Sequence, residues 1–305
     1  PFERTMERIG KAASWFLATT AIMGMLKVLR FTIDTISNMQ VAVIDLQKVM
    51  NEATTNFKEM RQAALDLGQQ LGRLPEEAMK AMGMFARQGR EQAEVIELTK
   101  VALIATNIAE MSLTGSVENL TAAMLQWELS ATDAIRLLDT WNEVSNRNAV
   151  TASVLAEAFS HTSAMAKQLG LDIHELNALI TILAATTGKS GGEIGRSLRF
   201  AFNRIFLPTV QATLSNVLGL SVFEPGTGEL RDFSSILREI AEAWQDLSDA
   251  QRAAIARAFG GTRHVQDMQI LFEKLTTMGI KVATDSLYSF NSAVRENQRY
   301  MQSLE

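Results

Sequence analysis

The stretch "ILAATTGKSGGEIGRSL", residues 182 to 198, has the residue types of a phosphate-binding loop. In such a loop, written G-x-x-x-x-G-K-[ST], an opening glycine lets backbone N–H groups wrap the phosphates. Counting back from Gly188, the position of that glycine is Leu183. The element before the loop should be a buried strand, yet apolar residues there recur at spacings of three and four, which is typical of a helix. Both tests argue against a nucleotide site.

The same letters fit a turn between two helices. Gly188 suits the left-handed position just past a helix end. Ser190 and Glu193 form S-x-x-E, a capping box in which each side chain satisfies an N–H at the start of the next helix. Gly192 and Gly195 then lie early in that helix, where each costs about 1 kcal/mol relative to alanine. We therefore expect a neighbouring backbone to approach this helix closely.

Similar signals mark other turns. Asp172 with Glu175 predicts a helix start, Gly170 ends the helix before it, and Gly260 with Gly261 ends a later one. We assign as structural turn and cap residues Gly170, Asp172, Gly188, Ser190, Gly191, Gly192, Glu193, Gly195, Gly260 and Gly261.

No other constellation predicts catalysis, a cofactor or a bound metal. The three histidines, His161, His174 and His264, are far apart and outside any metal-ligand spacing, so each is interpreted as a polar or half-buried helix residue. The letters GKSGG, residues 188 to 192, match G-x-S-x-G, but a helical pattern and not a strand precedes them, so they do not predict the nucleophile elbow of a catalytic serine. A carboxylate pair for glycoside hydrolysis stays open, because such pairs meet only in space. Thr262 and Arg263 suit either an anion site or a plain turn with Thr262 as N-cap.

Composition restricts the class of protein further. The net charge of −5 and the lack of any basic stretch argue against specific nucleic-acid binding. The absence of cysteine excludes disulfides, thiolate metal sites and a cysteine nucleophile. Four prolines and helical periodicity favour long helices, and fifteen methionines suit irregular helix contacts or adaptable surfaces. The chain begins with Pro1 and shows no signal peptide, from which we expect an internal piece of a longer protein.

We predict an all-α fold, a multi-helix array of amphipathic helices with short turns, and one small β-hairpin near residues 220–232 around "EPGTG". The predicted divisions are a long apolar N-terminal helical segment (1–50), a helical subdomain (51–145), a glycine-punctuated core (146–282) and a polar C-terminal helix (283–305). The helix at residues 172–187 lacks charge after Glu175, so it should be close to fully buried.

One apolar segment raises the question of a membrane. An uncharged run of about 15 residues after Lys11 would span about 22 Å as a helix, against about 30 Å of bilayer core. A buried or self-associating helix is the first interpretation, and entry of residues 12–29 into a membrane is the alternative. The candidate partner-facing or membrane-facing residues are Trp15, Phe16, Leu17, Ile22 and Met25.

Three stretches, in order, resemble the core region of phage tail tape measure proteins: "SNRNAVTASVLAEAFSHTSAMAKQLGLDIHELNALITILAATTGKSGGEIGRSLRFAFNRI", "LGLSVFEPGTGELRDFSSILREIAEAW" and "LSDAQRAAIARAFGGTRHVQDMQILFEKL". The shared features are an asparagine-containing turn (Asn146, Asn148), a glycine-rich turn, a G-x-x-R-D hairpin and an "FGG" before a last helix. The upstream "LDLGQQLGRLPEEAMKAMGMFARQGREQAEV" is similar to the family's earlier segment, so the likeness covers most of the chain.

The resemblance implies a non-enzymatic virion component, assembled in the host cytoplasm and resident in the tail tube lumen or tail tip. Such proteins set tail length, associate with themselves, commonly as trimers, and leave ahead of the DNA during genome ejection. The implied partners are the chain itself, tail tube and tail tip proteins, tail assembly chaperones and the host membrane. The many turns depart from a heptad-rich rod, which leaves open whether this segment is the measuring span. A membrane-active module and a cell-wall hydrolase are the alternatives.

Overall fold

The computed structural model describes residues 37–109 and 111–304, and the regular elements of these ranges are helices. They are α1 (37–47), α2 (Phe57–Leu71), α3 (Pro75–Ala86), α4 (Gln92–Ile108), α5 (Leu113–Trp127), α6 (Ala131–Arg147), α7 (Ala152–Gln168), α8 (Ile173–Thr187), α9 (Gly191–Arg204), α10 (Pro208–Leu218), α11 (Phe233–Ala243), α12 (Asp249–Gly260), α13 (Val265–Lys274), α14 (Ile280–Leu287) and α15 (Ser292–Gln302). A 3-10 turn, Trp244–Asp246, follows α11, and a π-helical turn, Leu275–Gly279, joins α13 to α14. The expected all-α class is confirmed.

The predicted β-hairpin near residues 220–232 is wrong. A single antiparallel bridge joins Phe223 to Leu230, flanked by a hydrogen bond from Arg231 N–H to Val222 O of 3.0 Å. Leu220 and Val222 are buried instead as part of the core, and Asp232 already caps α11. The runs on either side of the turn are therefore too short to extend the bridge into paired strands.

The chain divides into two compact units, Pro1–Ile96 and Glu97–Glu305, and the boundary falls within α4. The finer divisions expected at residues 50, 145 and 282 remain predictions. In the first unit, Pro75 occupies the first turn of α3, where its missing N–H leaves no helical bond unmade. Four large side chains of α2 and α3 are at most 1% exposed: Met60, Met79, Met82 and Phe85.

The second unit is built around α8. All nine residues from Leu176 to Ala184 are buried, as the uncharged run after Glu175 predicts. Fully buried aromatic rings pack edge to face around it, with ring centroids 5.6 Å apart for Trp141 and Phe159 and 5.4 Å apart for Phe202 and Phe233. Each such side chain contributes about 2 to 3 kcal/mol through burial.

The methionines of the described residues are buried or half-buried, and none of them is exposed. Met39, Met79, Met124 and Met268 are at most 2% exposed. Their flexible thioethers therefore fill gaps between helices, which favours the core interpretation of the high methionine count over an adaptable surface.

Candidate functional site

The "GKS" stretch is the turn between α8 and α9. Gly188 ends α8 with φ 65°, a left-handed conformation that favours glycine, and its N–H donates to Ala184 O at 2.9 Å. Ser190 begins α9: the Glu193 N–H donates to Ser190 Oγ, and the Ser190 N–H donates to Glu193 Oε2 at 3.1 Å. This reciprocal capping fixes the direction in which α9 leaves the turn.

The Lys189 side chain of this turn binds a buried carboxylate within the protein. Its ammonium donates to Asp267 of α13, a side chain that is 1% exposed. Asp267 also accepts a hydrogen bond of 2.7 Å from Ser197 Oγ and lies 3.5 Å from His264 Nδ1. A buried carboxylate needs such partners, so Lys189 links the turn to α13. The geometry supports the turn interpretation over a nucleotide loop.

The glycines of α9 allow its backbone to contact α7 directly. A Cβ atom added to Gly191 would lie 2.5 Å from Val154 O and 2.7 Å from Glu157 Cβ. One added to Gly195 would lie 2.6 Å from His161 Cβ and 2.9 Å from Ala158 O. Real Cβ atoms essentially never come this close to another heavy atom, so any side chain would push the helices apart. The expected close backbone approach is therefore present, and α7 is the neighbour.

Gly192 differs from Gly191 and Gly195 in what surrounds it. An added Cβ would meet the ends of two flexible side chains, Glu157 Oε1 at 2.8 Å and an Arg196 nitrogen at 3.2 Å. Those groups can move aside. Gly192 is thus not required for the α7–α9 contact in the way that Gly191 and Gly195 are.

The remaining predicted turn residues lie at helix ends. Gly170, with φ 79°, follows the last residues of α7, and the Asp172 and Glu175 side chains cap α8. Gly260 is the last residue of α12, and Gly261, with φ 60°, is its C-cap. The expected N-cap role of Thr262 is wrong: His264 is the residue before α13, because Thr262 and Arg263 are still part of the turn.

Capping makes the stability of this turn depend on pH. The side-chain hydroxyl of Ser190, followed by its backbone N–H, lowers the pKa of Glu193 from its ordinary value of 4.5. A carboxyl with a lowered folded-state pKa contributes stability above its unfolded pKa and loses that contribution as pH falls. We expect Glu193→Gln to lower the unfolding temperature at about pH 6, and the difference between the two proteins to shrink progressively as the pH falls below 4.5.

Thermal unfolding of both proteins, followed by circular dichroism across this range, measures the difference. Asp139 has a raised pKa, so its contribution to stability changes with pH in the opposite direction to that of Glu193. Because Asp139 is present in both proteins, its contribution cancels in the difference between their unfolding temperatures. A difference between the two proteins that stays constant with pH would contradict the capping role.

Sequence patterns did not reveal the polar contacts that hold α15. Asp139 of α6 is 2% exposed, and its two oxygens accept hydrogen bonds from the backbone N–H groups of Asn291 and Ala293, at 2.9 and 2.8 Å. Ser292 Oγ donates to Glu143 Oε2 at 2.7 Å. Burial raises the pKa of Asp139, with the two backbone hydrogen bonds opposing it. The carboxylate therefore caps a helix about 150 residues further along the chain.

His161 and His174 are half-buried helix residues, as expected, whereas His264 is half-buried but lies in the turn before α13. His174 Nδ1 lies 2.8 Å from Ser286 Oγ, and His264 is near Asp267. Among residues 37–109 and 111–304, no group of three or more histidine or acidic side chains could hold a metal ion.

The candidate partner-facing or membrane-facing residues Trp15, Phe16, Leu17, Ile22 and Met25 lie outside the described residues, as does the whole segment 12–29. In the part of the chain that is described, no helix has both the length and the apolar character needed to cross a membrane.

Residues 61–261 match the family of phage-related minor tail proteins. Because the match covers more than half of the chain and includes the capped turn, the α7–α9 contact and the "FGG" turn, the chain belongs to this family. Within tail proteins, it is similar to the tape measure protein of Pneumococcus phage Dp-1, with 24% identity over 262 residues. The resemblance to tail tape measure proteins is confirmed.

That alignment covers 84% of this chain but 22% of the relative. The chain thus spans about a fifth of the length of the curated relative that it matches. No solved structure matches the chain.

Proposed function

We propose that this chain is a folded segment of a tail tape measure protein, resident in the lumen or tip of a phage tail and released ahead of the DNA during ejection. The observation that carries the proposal is the family match over residues 61–261, together with the tape measure relative that aligns with 84% of the chain. As part of that protein, the segment would contribute to setting tail length. Its role is structural and not enzymatic.

The packing of the second unit supports a folded segment over a straight measuring rod. The nine residues from Leu176 to Ala184 bury every face of the central part of α8, and α9 contacts α7 through glycines. An isolated extended helix would leave both surfaces in water. A compact unit of about 200 residues is about 40 to 45 Å across, whereas the same residues in one straight helix would span about 300 Å.

Exposed apolar side chains on α14 and just after it support contacts with other chains. Ile280, Leu287, Tyr288 and Phe290 are each at least 60% exposed, and Leu287 borders a surface cavity of about 580 Å³ between α8, α11 and α14. Apolar groups clustered on a surface are typical of protein interaction sites. The proposed partners are further copies of the chain, as a trimer, and tail tube, tail tip and assembly chaperone proteins.

Protease protection in purified phage particles tests the proposed location. An antibody raised against residues 97–304 follows the segment before and after receptor-triggered ejection. We expect the segment to resist protease in intact particles and to become digestible once ejection has occurred. A surface-exposed tail protein in the same samples is the positive control for digestion. Digestion of the segment in intact particles, or its absence from them, would contradict the proposal.

A further inference from the structure

The solvent-facing side of α9 carries a concentrated positive charge on an acidic protein. Five residues of α9 with helical spacing lie along it, and together with Leu207, the N-cap of α10, and His264 they line a surface cavity of about 440 Å³: Arg196, Arg199, Phe200, Asn203 and Arg204. We call this set, including His264, the cationic α9 surface. The chain as a whole has a net charge of −5, so the local charge opposes the overall one.

No carboxylate of the described residues lines this cavity. Within the same part of the chain, no Asp or Glu oxygen lies within 4.0 Å of the guanidinium of Arg196 or Arg199. Glu193 and Glu157 mark the edge of the surface beside Arg196, and the Glu193 carboxyl is already bound to Ser190. The two arginines thus present free hydrogen-bond donors to solvent.

The third arginine is fixed in place and orients the aromatic ring. Arg204 Nε donates to Ala258 O at 2.6 Å, and its guanidinium lies 5.4 Å from the centroid of the Phe200 ring. The His264 ring lies 5.3 Å from the same ring. His264 is also the N-cap of α13, and the Asp267 carboxylate in the first turn of that helix is already bound by Lys189 and Ser197.

Apolar side chains accompany the charges. Phe200, Phe206 and Leu207 are 38 to 40% exposed. Arginine and aromatic residues are enriched at the centres of protein interfaces, whereas a nucleic-acid surface needs an aromatic face on which bases can stack. Arg204 and His264 already lie beside the Phe200 ring, so its exposed part fits contact with an aliphatic side chain better than stacking of a whole base. From Arg196 to Leu207 the surface is about 17 Å long, the length of about three helical turns.

We propose that the cationic α9 surface docks an acidic amphipathic helix of a partner protein, whose carboxylates bind Arg196 and Arg199 and whose apolar side chains contact Phe200 and Leu207. This inference rests on the proposed structural role in the tail and specifies the chemistry of one partner. Planar guanidinium groups suit this role because they bind carboxylates through two hydrogen bonds.

The test measures binding of a fluorescein-labelled synthetic helix by fluorescence anisotropy, using the whole chain. The peptide, of about 14 residues, carries glutamate on one face and leucine on the other. We expect saturable binding at about 50 mM salt that weakens at about 200 mM. The double variant Arg196→Glu/Arg199→Glu should weaken binding at least about 10-fold, because each lost ion pair becomes a like-charge contact.

Arg136→Glu/Arg299→Glu is the matched control, since both side chains are more than 70% exposed and lie outside the surface. It should change binding less than about 2-fold. Circular dichroism establishes that both double variants are folded.

Absence of peptide binding at low salt, or an equal loss in the two double variants, would overturn the proposal. An oligothymidylate of about 20 nucleotides serves as the competing probe. If the oligothymidylate binds more tightly than the peptide, the surface is a nucleic-acid-binding site and the assignment to a protein partner is wrong. None of these results affects the protease-protection test, so failure of this inference is distinguishable from failure of the proposed function.

Discussion

Asp139→Ala is expected to detach α15 from the rest of its unit. The substitution leaves the N–H groups of Asn291 and Ala293 without their acceptor, at a cost of about 3 kcal/mol. The buried side chains of α15 are only Ser292, Ala293 and Asn297, so little apolar burial opposes the loss. We therefore expect amides of residues 292–302 to exchange with deuterium about 100-fold faster, while those of α8 keep their protection.

Arg299→Ala is the control for this experiment. Its side chain is 73% exposed on the same helix and pairs only with Glu296 one turn away, so exchange should stay close to the wild-type rate. Unchanged protection of α15 in Asp139→Ala would show that the carboxylate does not hold the helix. Equal loss of protection in α8 and α15 would show that α15 does not open independently.

Gly195→Ala is expected to lower the free energy of unfolding by about 2 kcal/mol, although alanine favours a helix more than glycine does. The added methyl group would lie 2.6 Å from His161 Cβ and 2.9 Å from a backbone oxygen that cannot move alone, so α7 and α9 must separate. For a unit of this size the midpoint of thermal unfolding should fall by about 4 to 8 °C.

Gly192→Ala is the matched control on the same helix, because its neighbours are the ends of flexible side chains. It should change the midpoint by less than about 2 °C. Gly191→Ala should also destabilise, and the double variant with Gly195→Ala should cost less than the two single losses together, since one displacement of α9 relieves both contacts. A stabilised Gly195→Ala protein would contradict the direct contact between helix backbones.

Local signals in the sequence predicted the helical class and several of the helix ends. The spacing of Ser190 and Glu193, and of Asp172 and Glu175, depends on bonds within a single turn of chain, which is why the sequence predicts the starts of α9 and α8 correctly. Thr262 shows the limit of such signals. It has a suitable residue type, yet the tight turn after Gly261 continues past it to His264.

Contacts between residues that are far apart in the sequence could not be predicted from such local signals. Glycine at position 195 indicates a close neighbour, but its spacing does not say that the neighbour is α7. Asp139 looks like any polar residue of an amphipathic helix, and only the fold places it at the start of α15. Likewise, the arginines of α9 make a concentrated positive surface because the fold places no carboxylate of the described residues along that cavity.

Tail length in the phage that encodes this chain tests most directly whether the segment is folded inside the tail. Electron micrographs would compare wild-type particles with particles in which residues 97–304 are deleted, or duplicated in tandem, within the gene. A folded segment predicts a change well below about 100 Å in either direction, since a compact unit of this size is about 40 to 45 Å across. A change of about 300 Å, the span of these residues as one straight helix, would contradict a folded role.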